Sequence, residues 1–177
     1  MHTVTDKNSP STLFMQMRTA ASAALLAVSQ HAQAEELTFG IGGSDLLDEI
    51  RREAVAGLVE YHSDPFWNPL WGHLSWLVAL QIDTTENVFL GVGVHGLSRL
   101  GTQNFFVEAS LSGGAYHQGN GIPKTAENFL FRTSIGAGFY LNTNSRLSLT
   151  LDHLLNSDFK NYGPGSEAFL LRYTRIF

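Results

Sequence analysis

His153 and Glu167 are the two side chains in this sequence best placed to do chemistry together. A carboxylate that accepts an imidazole N–H fixes the ring's tautomer and favours its charged form, which is how a histidine is prepared to act as general base in acyl transfer. The two residues stand on either side of an Asn/Gly/Pro-rich turn in the stretch Arg146 to Phe177. His153 shares its parity with Leu147, Leu149 and Leu151, and Glu167 shares its parity with Phe169, Leu171 and Tyr173. A period of two is the signature of a strand. An antiparallel hairpin therefore brings both side chains together on one wall, near its end. On a lipid-facing wall an imidazole and a carboxylate are costly unless paired. The same pair also suits a plainer role, an interfacial histidine hydrogen-bonded for stability.

The elements that must hold this pair are strands. From Glu36 onward eight alternating runs are legible, with no convincing amphipathic helix. They fall at residues 37–41, 53–61, 73–82, 87–97, 105–115, 128–141, 146 onward, and from about Glu167 to the terminal Phe177. The sixth run sets Phe129, Phe131, Ile135, Ala137 and Phe139 against Arg132, Ser134, Gly136 and Gly138. Segment 44–52 reads as either one helical turn or a polar loop. Thr84 to Asn87 and Asn142-Thr143-Asn144 read as tight hairpin turns, with longer links near 62–71, 116–126 and 156–166 alternating with them.

Which face is outside decides the class. The polar faces are mostly Gly, Ser and Thr with isolated Glu108, Arg132 and Arg172, and the chain has only three Lys. A solvated face carries more Lys and Glu, whereas small residues with a few charges fill the interior of a narrow barrel. The apolar faces are rich in Phe and Leu, and Trp67, Trp71 and Trp76 gather near one strand end as an interfacial girdle does. The expected fold is an all-β, eight-stranded antiparallel transmembrane β-barrel over residues 35–177. A secreted, soluble lipocalin-like barrel is the alternative. The closing Tyr-x-x-x-Phe pattern at Phe177 matches the way many bacterial outer-membrane barrels end.

The N-terminus reads as an export signal. Arg18 precedes a short apolar core, Ala20 to Val28, and Ala32-Gln33-Ala34 supplies a small-x-small cleavage pattern. Residues 1–34 are the expected leader, with Met15 or Met17 as an alternative start. No apolar run reaches the ~18 residues that a spanning helix needs. The absence of Cys excludes a disulfide framework and thiolate metal sites. A net charge of −5 gives no nucleic-acid footprint. His62, His73, His95 and His117 lie on different runs without metal-ligand spacing, so they read as scattered structural histidines. Neither a metal nor a cofactor is expected.

The residues around His153 resemble the PagL-type lipid A 3-O-deacylases of the outer membrane. That family's pattern is His, any residue, Ser-Asn, and about a dozen residues later Gly-x-Glu. This chain has His153-Leu154-Leu155-Asn156 and then Gly165-Ser166-Glu167. Phe106-Val107-Glu108-Ala109 and Ile135-Gly136-Ala137-Gly138 are similar to the family's strand segments. The resemblance implies an eight-stranded barrel with a Ser-His-Glu triad on its outer wall. It also implies a bacterial outer-membrane location, and lipid A or lipopolysaccharide among outer-membrane lipids as substrate. His153 takes the place of the general base, Glu167 of the orienting acid, and Asn156 of the Asn beside the nucleophile.

The nucleophile is where the chain departs. Leu155 stands at the family's serine, so the acyl-enzyme step has no nucleophile there. Asp158 also occupies a position where the family tends to have Gly. Three readings follow: a barrel whose deacylase activity is lost or weakened, a hydrolase using Ser157 or a His-activated water, or a non-enzymatic barrel. Ser157 has the right parity but sits two residues beyond Leu155, about 6–7 Å further on at strand rise.

Overall fold

The computed structural model describes residues 36–44, 54–101, 104–119, 129–156 and 166–177. The expected leader and Ser157 lie outside the described residues, as does nearly all of segment 44–52. Eight strands run in chain order: β1 (Glu36–Ser44), β2 (Ala54–Trp67), β3 (His73–Asp83), β4 (Val88–Arg99), β5 (Phe105–His117), β6 (Phe129–Asn142), β7 (Ser145–Asn156) and β8 (Ser166–Ile176). Each pairs antiparallel with its neighbour in sequence, and β1 pairs with β8 to close the barrel.

Alternation sets the two sides of the wall. Ile41, Val92, Ile135 and Leu149 point outward and are exposed, while Glu60, His62, Glu108, Arg132 and Asp152 point inward and are buried. Apolar outside and polar inside is the inversion that a lipid-facing barrel requires, and it excludes the soluble alternative. Closure also demands close backbone approach. A Cβ on Gly42 would lie 1.7 Å from the Phe169 carbonyl oxygen, and one on Gly93 would lie 2.0 Å from that of Leu111.

The lumen is filled by paired charges. Arg132 on β6 donates to Glu60 on β2 at 2.6 Å and to Asp152 on β7 through both Nε and Nη2. Arg172 on β8 donates to Asp152 at 2.7 Å and to Ser134 at 3.0 Å. Arg146 forks onto Glu36 at 2.5 and 2.6 Å. Buried charges persist where each has an opposite charge and hydrogen bonds, as these do.

Two expectations about the links are corrected. Residues 62–67 continue β2 and do not begin a long link. Pro65 cannot donate to the ladder, so the register slips on either side of it, and the Trp76 N–H donates instead to Ser63 Oγ at 3.1 Å. Long and short links also do not alternate along the chain. The 84–87 turn lies at the barrel end where β5 and β7 stop and β6 and β8 begin, whereas 68–72 and the 143–144 turn lie at the end bearing the strand termini Glu36 and Ile176. Asp83 makes the short turn possible: its Oδ1 accepts from the Thr85 and Asn87 N–H groups at 2.8 and 3.1 Å. Trp67, Trp71 and Trp76 are exposed at the terminus-bearing end, where Trp67 and Trp71 meet edge to face.

Candidate active site

The β7–β8 register places His153 directly opposite Glu167. The two side chains lie on the outer wall, 35% and 41% exposed, with His153 Nδ1 3.5 Å from Glu167 Oε1. This is the long end of hydrogen-bond reach, and catalytic contacts of this kind commonly tighten only when substrate binds. With Nδ1 turned to the carboxylate, Nε2 is the nitrogen left to exchange a proton. The pair sits at the barrel end opposite the strand termini.

Asp152, the preceding residue, fixes this arrangement from inside. Its carboxylate accepts from Arg132, Arg172 and Ser134, so β7 is tied to β6 at the level of His153 and to β8 through Arg172, which lies opposite Ser148. Because strand side chains alternate, an inward Asp152 forces His153 outward.

Leu155 also points outward, two residues along β7, and faces Phe131 on β6. The position at which the resemblance expects a hydroxyl is therefore part of an apolar wall. Phe129 and Phe131 meet edge to face beside it, and both rings lie over Gly113, where an added Cβ would come within 3.1–3.2 Å of them. Asn156 ends β7 with its backbone opposite Leu130.

Two arrangements escaped the sequence reading. Thr133 on β6 lies directly opposite His153, on the side away from Glu167, and its hydroxyl donates to the His153 carbonyl at 3.4 Å. Parity alone puts Thr133 on the outer face with Phe131 and Ile135, but its level follows only from the β6–β7 register.

The second arrangement corrects the picture of scattered histidines. His62 and His95 stack inside the barrel with ring centroids 4.1 Å apart, and Glu36 joins them so that one potential ligand atom from each falls within 4.8 Å of the others. His62 is held by Glu36 and Glu60, and His95 by Glu108, each at 3.1 Å. A metal ion lies in the plane of the imidazole that binds it, so at least one of the stacked rings would have to turn, and both Glu36 oxygens already accept from Arg146. The group is accounted for as part of the lumen's charge pairing.

The sequence model of the lipid A 3-O-deacylase (PagL) family matches residues 55–175. The chain is similar in fold to the crystal structure of the outer membrane enzyme PagL, with a TM-score of 0.60 at 16% identity, over 80% of this chain and 99% of that one. Looser matches are a de novo designed transmembrane β-barrel (TM-score 0.44, 14% identity, 82% of this chain and 98% of that one) and the outer membrane protein Ail of Yersinia pestis (0.48, 11%, 81% and 99%). No curated protein matches the chain.

Proposed function

The chain belongs to the lipid A 3-O-deacylase (PagL) family, a barrel of the bacterial outer membrane, and on that premise we propose that it hydrolyses the ester-linked acyl chain at the 3-position of lipid A. The observation that carries this reading is the His153–Glu167 pair, half-exposed on a wall that otherwise faces lipid, where an acyl ester can reach it from the membrane. His153 is the general base. Glu167 orients the imidazole and stabilises the imidazolium that forms when it takes a proton. Asn156 and neighbouring backbone N–H groups supply the oxyanion donors, the contribution that is usually largest in acyl transfer. No step calls for a cofactor. The substrate is the lipid A portion of lipopolysaccharide in the surrounding leaflet, whose acyl chains lie against Phe129, Phe131 and Leu155.

Leu155 favours a second reading, a non-enzymatic barrel, because the family's nucleophilic position holds no hydroxyl. Purified protein in detergent, incubated with lipid A, separates the two. Release of a 3-O-linked fatty acid by the natural chain and not by His153→Ala supports the hydrolase. No release by the natural chain supports the non-enzymatic barrel.

A further inference from the structure

We infer that Thr133 supplies the nucleophilic hydroxyl that Leu155 lacks. Thr133, His153 and Glu167 form one outward-facing row across β6, β7 and β8, each directly opposite the next in register. Hydroxyl, imidazole and carboxylate thus stand in the order an acyl-transfer triad needs, with the nucleophile on the adjacent strand and not two residues along the same one. Directly opposed residues on antiparallel strands have Cβ atoms about 4.5–5.5 Å apart, so a change in the Thr133 χ1 rotamer turns its hydroxyl from the backbone toward the imidazole side. The bond it gives up, to the His153 carbonyl at 3.4 Å, is long and weak.

The lumen holds this juxtaposition in place. Arg132 and Ser134, on either side of Thr133, both bond Asp152, which adjoins His153. The two strands are therefore pinned in register at this level, and the reacting side chains stand on a rigid support.

In the first step His153 Nε2 takes the Thr133 proton as Oγ1 bonds to the acyl carbonyl carbon. The ester C–O bond then breaks, and the departing sugar oxygen takes the proton from His153. In the second step a water, deprotonated by His153, attacks the acyl-threonine, releasing the fatty acid and restoring the Thr133 hydroxyl.

This assignment rests on the lipid A deacylase reading, and the test separates the two. Lipid A deacylation is compared among the natural chain, Thr133→Val, Thr133→Ser, Ser157→Ala and His153→Ala, with each confirmed as folded in the outer membrane. The assignment predicts a loss on the order of 10²-fold or more in Thr133→Val, retention in Thr133→Ser, and no change in Ser157→Ala. Full activity in Thr133→Val with loss in His153→Ala overturns Thr133 and leaves the deacylase reading standing. Equal loss in Thr133→Val and Thr133→Ser also overturns the nucleophile, because a hydroxyl would then not rescue the site. A folded natural chain that leaves lipid A intact overturns both.

Discussion

Asp152 and His153 are adjacent in sequence and lie on opposite sides of the barrel wall: Asp152 is 1% exposed in the lumen, bonded to Arg132, Arg172 and Ser134, and His153 is 35% exposed on the outside, facing Glu167. One residue fixes the strand and the next uses the position so fixed. The chemistry on the outer surface therefore depends on the packing of charges within.

Changing the outer residue spares the fold. His153→Ala removes a half-exposed side chain with one long contact, so unfolding of the barrel in detergent shifts by less than about 1 kcal/mol, as for exposed ion pairs. Deacylation falls by about 10²–10⁴-fold. Urea titration followed by circular dichroism, alongside a fatty-acid release assay, measures both quantities.

Changing the inner residue does the reverse. Asp152→Ala leaves Arg132 and Arg172 short of a buried counter-charge and destabilises the barrel by about 3–5 kcal/mol. Activity falls with the folded fraction, and the same titration reads the loss.

Glu167→Gln keeps the size of the side chain and removes its charge. The imidazole loses the carboxylate that orients it and stabilises its protonated form, so the expected change is a lower turnover with folding unchanged. Steady-state kinetics on micellar lipid A should place the loss in kcat more than in KM.

Leu155→Ser installs a hydroxyl at the family's nucleophilic position, on the same face as His153 and two residues along β7. In a Thr133→Val background this second change should return deacylation to at least the natural chain's rate. If Leu155→Ser yields nothing there, the outer wall does not hold His153 as a working base.

Gly42→Ala puts a methyl group 1.7 Å from the Phe169 carbonyl oxygen, at the β1–β8 seam that closes the barrel. No side-chain adjustment relieves a clash with backbone. The variant should fail to give the compact, heat-modifiable band that a folded barrel shows on a denaturing gel.

Strand parity made much of this legible from sequence. The outward Leu147, Leu149 and Leu151 and the inward Arg146, Ser148 and Thr150 of β7 follow from alternation alone, and so does the placing of His153 and Glu167 on one wall near the end of one hairpin. Contacts that depend on closure were not legible. Glu60 meets Arg132 across the lumen only because eight strands close into a ring, and nothing local to either residue reports that. His62, His95 and Glu36 converge for the same reason. Residues 62–67 go the other way: they read from sequence as the start of a link after Tyr61, whereas β2 continues through Pro65 to Trp67 with a slip of register. Thr133 was hidden by the β6–β7 connection. The irregularity between Tyr140 and Asn142 sets which β6 residue faces His153, and parity cannot supply that offset.

Mass spectrometry of lipid A from cells expressing the natural chain, beside cells expressing His153→Ala at the same outer-membrane level, tests the central claim most directly. The prediction is that lipid A loses one 3-O-linked acyl chain with the natural sequence and keeps it with His153→Ala. Lipid A of identical mass in both, with the natural chain folded in the outer membrane, would contradict it.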